Sequence, residues 1–188
     1  MSTTSTMLMT AEEYMQLPRG EFQHELINGE LITMPLPGLP HGRMQIRIAG
    51  PLSQFVLEHD LGEVYGELGF LLTVDPDTVL GPDVCFISKQ RLQEAGEVKG
   101  FWHGPPDIAV EIVSPGDSRP KVRKRALEWL VFGATQVWIV DQKDRKVTIY
   151  RSPEDATTFS GSDYLEAPDL LPGFRLSLDR IFSTSIQE

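Results

Sequence analysis

The sequence of 188 residues is poor in the features that mark several common classes of protein. Its single cysteine, Cys85, excludes an intramolecular disulfide, and with only four histidines it cannot form a Cys/His zinc cage of the usual spacing. No stretch approaches the roughly 18 apolar residues of a membrane-spanning helix. The Ser/Thr-rich leader, residues 1–7, lacks the basic start and apolar core of a signal peptide. We therefore expect a cytoplasmic protein without a membrane partner.

The sequence also lacks an excess of positive charge. Its 17 basic and 27 acidic residues give a formal net charge of -10, which as a whole repels nucleic acids and anionic membranes. Any site for a polyanion must therefore be local. The composition is otherwise that of a globular protein, 40% hydrophobic and 23% charged. We expect a disordered leader over residues 1–9 and one domain over residues 10–188.

The N-terminal part changes its hydrophobic period within a few residues. Thr10 and Glu13 form a capping-box pattern, which predicts a short helix through Leu17. Two strand-like runs, Phe22–Ile27 and 30–34, then flank the dipeptide Asn28-Gly29, which favours a tight hairpin turn. The sequence therefore predicts an N-terminal β-hairpin.

A longer helix is predicted next, with a core-facing stripe at helical spacing and Pro51 inside it. The stripe consists of Met44, Ile48, Leu52, Phe55 and Val56. Pro51 is expected to kink or split this helix because proline cannot donate a backbone hydrogen bond. Strand-like runs follow at 64–74 and 84–87, and the polar stretch 88–106 is expected to be loop with one helical turn.

The segment 107–150 is typical of a β-α-β crossover. Residues 108–113 are apolar on both alternating faces except for Glu111, as in a strand that is covered on both sides. A helix from about Ser118 to Phe132 follows, and Gly133 ends it before the strand 136–140. These two strands should be parallel, and a hairpin should add residues 146–150 antiparallel. Residues 152–188 are expected to complete the same domain.

Glu111 is the residue that most directly suggests chemistry. An ionised carboxylate in a covered strand costs several kcal/mol unless it is paired, protonated or bound to a metal. Asp83 opens the preceding core strand, so two neighbouring strands could bring both carboxylates together. Such a pair suits Mg²⁺ or Mn²⁺, which can activate water against a phosphodiester. The alternative is an exposed Asp at a strand end and a Glu that pairs with a helix cation.

The crossover helix carries five basic residues within seven positions: Arg119, Lys121, Arg123, Lys124 and Arg125. Helical spacing places Arg125 beside the buried stripe, directed at Glu111, and Lys124 nearly opposite. Lys121, in the first turn, could reach over the strand end. Beside paired carboxylates this strip suits a polyanion, although a solvated helix face is the simpler interpretation. Trp129, Trp138, Phe132 and Cys85 are interpreted as core residues.

Several linked motifs resemble the Uma-type restriction endonuclease family. They are Glu25-Leu-Ile-Asn-Gly-Glu30, His41, Pro82-Asp83-Val84, Glu111-Ile-Val-Ser-Pro115 and the run from Trp129 through Gly133 to Asp141. The resemblance covers nearly the whole chain and implies the PD-(D/E)XK nuclease-like superfamily. The implied fold is α/β, a restriction-endonuclease-like core in which helices flank a central mixed β-sheet.

The resemblance also implies roles for particular residues. In that superfamily Asp, Glu and Lys surround Mg²⁺ and hydrolyse phosphodiesters, and the Asp and Glu map to Asp83 and Glu111. The position that is ordinarily Lys is Val113 here, and Arg125 stands where Uma-type sequences have a helix Lys, with Lys124 one step away. Arginine stays protonated and binds phosphate, but it is a poorer neighbour for an attacking water.

Two further residues take expected roles from the same resemblance. Glu25 could be an outer metal ligand or simply an exposed hairpin residue. His41 could contact a substrate phosphate, cap its helix or pack against it. Lys124, from its position on the helix and not from the resemblance, could meet a phosphate backbone or nothing.

Three hypotheses follow. The first is a Mg²⁺-dependent endonuclease acting on DNA, in which Asp83 and Glu111 bind metal and Arg125 or Lys121 stabilises the phosphate. The superfamily resemblance also implies a homodimer, since nucleases that cut both strands often dimerise. The second is a nuclease-fold module that binds nucleic acid or protein without catalysis. The third is a structural dimer in which Glu111 and Arg125 form a buried ion pair.

Overall fold

The computed structural model describes residues 8–18 and 22–183. The helices are α1 (Ala11–Met15), α2 (Leu39–Glu58), α3 (Lys89–Ala95), α4 (Arg119–Val131) and α5 (Leu178–Phe182). The strands are β1 (Phe22–Ile27), β2 (Glu30–Pro35), β3 (Gly62–Gly66), β4 (Phe70–Thr73), β5 (Thr78–Leu80), β6 (Val84–Ser88), β7 (Trp102–His103), β8 (Ile108–Ile112), β9 (Gln136–Asp141), β10 (Lys146–Tyr150), β11 (Ala156–Ser160), β12 (Tyr164–Ala167) and β13 (Leu171–Ser177).

A six-stranded mixed sheet forms the centre of the protein, in the order β11-β10-β9-β8-β6-β3. Strands β8 and β9 are parallel and joined through α4, and β10 returns antiparallel to β9. The predicted β-α-β crossover and its added hairpin are therefore confirmed. Ser118 caps α4 with its side chain, and Gly133 follows the helix at φ 103°, as the turn chemistry predicted.

Both faces of this sheet are covered, as the apolar pattern of residues 108–113 predicted. The buried stripe of α2 packs on one face together with α5 and β13, against Val110 of β8 and Phe86 of β6. On the other face, Ala126 and Trp129 of α4 pack against the alternate residues of the same strands. Glu111 therefore belongs to the face that α4 covers.

A second sheet, in the order β2-β1-β5-β4-β7, lies beside the α4 face. Its first two strands are the predicted hairpin, and Asn28 and Gly29 take the two positive φ values that its turn requires. The capping box between Thr10 and Glu13 is also present at the start of α1, which ends at Met15. Of the expected disordered leader, only residues 8 and 9 are described, and the Met9 amide donates to the Gly29 carbonyl.

Two predictions of secondary structure were wrong. The run 64–74 is two strands in different sheets, β3 and β4, because the chain turns at Glu67, where φ is 52°. The stretch 88–106 contains the seven-residue helix α3 and the short strand β7, not one helical turn in a loop.

Pro51 was predicted to kink or split α2. The helix is continuous from Leu39 to Glu58, with buried residues on both sides of Pro51, so the proline does not split it.

The C-terminal part is more regular than its sequence indicated. The Leu-Pro-Gly-Phe segment lies inside β13, which pairs with β12, and α5 completes the core over the α2 face. Among the described residues, no helix is both long and apolar enough to cross a membrane. The fold is thus a mixed α/β fold with helices flanking a mixed sheet.

Candidate active site

Asp83 and Glu111 lie on neighbouring strands. Strand β6 runs antiparallel to β8 with Val84 opposite Val110, and the same register continued by one residue sets Asp83 opposite Glu111. Side chains at directly opposite positions of antiparallel strands have Cβ atoms roughly 5 Å apart. The backbone N–H of Ile112 also donates to Asp83 Oδ2 at 2.6 Å. The structure therefore brings the two predicted carboxylates together at one end of the sheet.

Helix α2 holds Asp83 from the other side. His41 Nε2 lies 2.8 Å from Asp83 Oδ1, and Gln45, one turn later, donates from Nε2 to the Asp83 carbonyl at 2.8 Å. The other ring nitrogen of His41 is buried and has no hydrogen-bond partner among the described residues. The structure thus places His41 against Asp83, where it orients the carboxylate.

Helix α4 holds Glu111. Arg125 Nε and Trp129 Nε1 donate to the same oxygen, Glu111 Oε1, at 2.9 and 2.6 Å. The Arg125 guanidinium also lies over the Trp129 ring, 5.4 Å from its centroid. Within the described residues Glu111 Oε2 receives no hydrogen bond, so one carboxylate oxygen is available to a ligand.

Glu25, in the N-terminal hairpin, is the second partner of Arg125. Arg125 Nη1 donates to Glu25 Oε2 at 3.3 Å, and Arg125 Nη2 pairs with Glu25 Oε1. Glu25 is buried, and the Gly81 amide approaches it at 3.4 Å. The hairpin Glu is therefore not exposed, and its carboxylate is occupied by the guanidinium that also binds Glu111.

The site carries more negative than positive charge. Burial raises the pKa of Glu111 to about 7; the Arg125 guanidinium opposes this rise, and the charge of Asp83 adds to it. Burial alone would lower the pKa of Arg125, but the charges of Glu111 and Glu25 outweigh it and raise that pKa. The hydrogen bond to Asp83 raises the pKa of His41. Arg125 thus pairs with two carboxylates, and Asp83 adds a third negative charge close to Glu111.

The two lysines of the predicted site lie outside this cluster. Lys121 Nζ pairs with Asp117 Oδ1 at 2.6 Å, and Lys124 Nζ pairs with Glu128 Oε1 at 3.4 Å. Both lysine side chains are more than two-thirds exposed, and such surface pairs contribute little stability. Lys124 is on the outer face of α4, as its helical position predicted. Lys121, in the first turn of α4, pairs with Asp117 just before the helix and does not reach Glu111.

The donor set fits a hard divalent cation. Among the described residues there is no group of three or more His, Cys, Asp or Glu side chains arranged to hold a metal ion. Mg²⁺ needs fewer protein ligands, because it usually binds one or two carboxylates and completes its shell with water and substrate phosphate. Asp83 and Glu111 supply adjacent carboxylates in a site with excess negative charge. Glu25 is engaged by Arg125, so it suits an indirect role.

Two residues of the cluster were not predicted as part of it. Gln45 follows His41 by four residues, so both lie on one side of α2. Trp129 follows Arg125 by four and was interpreted as core; it is buried, but its indole N–H binds Glu111. The i, i+4 spacing was a signal in both cases, because a polar side chain one turn from a site residue shares its side of the helix.

Comparisons with known proteins agree with the fold and identify a family. The chain matches the Uma2 family, described as "Putative restriction endonuclease", over residues 11–179. It is also similar to a solved structure, "a putative nuclease belonging to DUF820" from Anabaena variabilis ATCC 29413, with a TM-score of 0.79 and 27% sequence identity. That similarity covers 93% of this chain and 98% of the other. The comparison with curated proteins gives no match.

Proposed function

This chain belongs to the Uma2 family, and from that premise we propose that it is a Mg²⁺-dependent endonuclease that hydrolyses phosphodiester bonds in DNA. The family and the similar structure support a nuclease. The proposal adds three points to this: the metal is Mg²⁺, the substrate is DNA and the protein is cytoplasmic. The location is consistent with Cys85, which is a free, buried thiol.

One observation carries the proposal: Asp83, just before β6, lies opposite Glu111 of β8, and each is oriented by a different helix. Both carboxylates are thus held in place before a cation arrives, as a preorganised pair of oxygen ligands requires. When bound, Mg²⁺ would polarise the scissile phosphate and lower the pKa of an attacking water.

The residues around the pair have distinct roles in this proposal. His41 and Gln45 hold Asp83 in place, and Trp129 and Arg125 direct Glu111 by binding one of its oxygens. Such outer contacts commonly change metal affinity or activity by 10–100-fold when they are lost. Because Arg125 binds two carboxylates at once, we assign it first to positioning. A phosphate could gain its guanidinium only by displacing Glu25.

A second candidate function is a nuclease-fold module that binds nucleic acid or protein without cleaving it. The observation that favours it is the state of Arg125, whose Nε, Nη1 and Nη2 all bind Glu111 or Glu25. Three of the five N–H donors of this guanidinium are thus bound to carboxylates, which leaves little of it to stabilise a transition state. In this case Glu111 and Arg125 would act as the buried ion pair of the structural hypothesis.

Cleavage of supercoiled plasmid and single-stranded DNA with Mg²⁺ or Mn²⁺ tests the proposal. Asp83→Asn and Glu111→Gln keep the size of each side chain and remove its charge. We expect each to lower the rate by about a thousandfold, since a metal contributes several kcal/mol to a phosphoryl transition state. Asp107→Asn is the matched control, because it changes another buried carboxylate beside β8.

The outcomes separate the candidate functions. Metal-dependent cleavage that is lost in both site variants and kept in Asp107→Asn supports the endonuclease. Cleavage that survives in Asp83→Asn and Glu111→Gln contradicts it. If the wild type does not cleave, calorimetric titration with Mn²⁺ and the variant Arg125→Lys decide whether a metal site is present and inactive. If neither the wild type nor Arg125→Lys binds Mn²⁺, the result supports the binding module.

A further inference from the structure

Helix α2 presents an outward face that is apolar and free of acidic residues. The chain has 27 Asp and Glu residues, yet none lies between Glu30 and Glu58, a segment that contains nearly all of α2. Leu39, Ile46 and Leu57 are 79%, 70% and 66% exposed on this helix. They are three of the five most exposed large apolar side chains of the described residues. Singly exposed apolar residues are ordinary, but these three belong to one helix.

This face is separate from the catalytic candidates. Helical spacing places Leu39, Ile46, Gly50 and Leu57 on one side of α2 and the buried residues Met44, Ile48 and Leu52 on the other. His41 and Gln45 lie toward the inner side, where they contact Asp83. A partner that covers the outward face would therefore leave the carboxylate pair in place.

The outward face is complementary to itself when two copies of α2 run antiparallel. Leu39 and Leu57 are each nine residues from Ile48, and Ile46 and Gly50 are each two residues from it. A two-fold axis at the level of Ile48 thus sets Leu39 of each copy against Leu57 of the other. It also sets each Ile46 against the other copy's Gly50. A Cβ placed on Gly50 would meet no atom within 4 Å, so Gly50 leaves an open notch for Ile46.

We propose that the outward face of α2 is the interface of a homodimer, with two α2 helices packed antiparallel about this axis. A two-fold interface requires one patch to be self-complementary, and this palindromic spacing of large and small residues meets that requirement. The close approach of helices past a glycine is a common way to pack them.

Charge favours a second copy over nucleic acid as the partner. Two chains of net charge -10 repel each other, and the repulsion is smallest where they meet without carboxylates. The face offers little to a polyanion. Arg47 donates hydrogen bonds to the carbonyls of Ile181 and Ser183. Of the two arginines of α2, only Arg43 makes no hydrogen bond or ion pair among the described residues. Apolar side chains around one arginine suit a protein surface.

The expected interface is small. A 20-residue helix is about 30 Å long and about 10 Å across, so a single helix pair buries on the order of 700 Å² in total, below the roughly 1,200–2,000 Å² of standard stable complexes. We therefore expect a dimer that dissociates on dilution.

Sedimentation velocity over a wide range of protein concentration tests the proposal. We expect the wild type to shift from a mass of 21.1 kDa toward twice that value as concentration rises. Ile46→Glu should weaken association by about thirtyfold or more, the loss typical of a central interface residue. Val131→Glu is the matched control, because Val131 is 80% exposed on the outer face of α4. A wild type that stays monomeric, or equal loss in the control, overturns the proposal.

Two further variants separate a specific interface from a merely adhesive surface. Gly50→Leu adds apolar area but fills the notch, so the proposed register predicts weaker association, whereas a non-specific patch would associate more strongly. The double variant Ile46→Cys, Gly50→Cys should form intermolecular disulfides, while Ile46→Cys, Leu57→Cys, which is out of register, should not. Stronger association in Gly50→Leu, or equal cross-linking of both pairs, contradicts the register.

This inference does not depend on the proposed function. Dimerisation is measured without metal or nucleic acid, and the α2 variants change no residue of the carboxylate cluster. A dimeric protein without nuclease activity would support the interface and contradict the enzyme, and an active monomer would do the reverse.

Discussion

The two ends of strand β8 carry similar groups in different electrostatic settings. Before the strand, Asp107 lies 3.5 Å from Arg91, whose guanidinium is 5.8 Å from the centre of the Trp102 ring. Toward its end, Glu111 is paired with Arg125 at 2.9 Å, and that guanidinium lies over Trp129. Both ends thus combine a carboxylate, an arginine and a tryptophan.

The difference lies in what surrounds each group. Asp107 also accepts a hydrogen bond from the Ser88 amide at 2.7 Å, which balances one carboxylate against one cation and one donor. At the other end, Glu111 shares a single arginine with Glu25, and the charge of Asp83 also acts on Glu111. Asp107 is thus paired one to one, whereas the Glu111 end has an excess of carboxylates, a setting that clusters at functional sites.

Removal of each arginine gives the largest expected contrast. Arg125→Ala leaves Glu25 and Glu111 buried without their cation, and we expect it to lower the free energy of unfolding by about 3–5 kcal/mol. Arg91→Ala should cost about 1–2 kcal/mol, because Asp107 keeps the Ser88 amide. Urea denaturation of both variants measures the difference. Equal losses would show that the two ends are energetically alike.

The pH dependence of stability sharpens the contrast. The pKa of Glu111 is raised to about 7 in the folded protein, so protonation of this carboxyl favours folding. The stability that this protonation adds to the folded protein is fully present below about pH 4.5, the pKa of Glu in the unfolded chain. It is lost as the pH rises through about 7, the pKa in the folded protein. The change amounts to about 3 kcal/mol. In EDTA, Glu111→Gln should remove this decline from the denaturation curves. A wild-type stability that rises over the same pH range would contradict the burial effect.

Loss of His41 or Gln45, the two α2 residues that position Asp83, should affect activity more than stability. His41→Ala removes the contact to one oxygen of the Asp83 carboxylate, and Gln45→Ala removes the hydrogen bond to the Asp83 backbone carbonyl. Because both contacts position Asp83, we expect each variant to weaken Mn²⁺ binding and cleavage by about 10–100-fold. Gln54→Ala, which removes an exposed hydrogen bond of the same helix, is the control. If the melting temperature falls while Mn²⁺ affinity is unchanged, these residues serve the fold alone.

The smallest effects are expected from the lysines outside the cluster. Lys121→Ala and Lys124→Ala break exposed ion pairs and should change stability by less than about 0.5 kcal/mol. Because Lys124 faces away from Glu111, we expect its loss to leave DNA affinity unchanged. If Lys124→Ala instead lowers the slope of log affinity against log salt concentration by about one, Lys124 contacts a DNA phosphate.

Much of the fold could be predicted because its signals are local. The hairpin at Asn28-Gly29 follows from the turn that this dipeptide favours, and the crossover from β8 through α4 to β9 follows from changes of hydrophobic period. The division of residues 64–74 between two sheets was missed although Gly66 and Gly69 mark the break, because the sheet that each strand joins depends on partners far away in sequence. Helix α3 was missed because none of its residues is buried, so it has no apolar stripe.

The candidate site divides in the same way. By itself the sequence determined that Glu111 needs a compensating partner, that Asp83 opens a neighbouring strand and that Arg125 faces inward, since each follows from the period of one element. Only the tertiary structure decided that Glu25 shares Arg125, that His41 and Gln45 hold Asp83, and that Trp129 binds Glu111. Those contacts join elements far apart in sequence, and they depend on how the whole core packs, which no local pattern encodes.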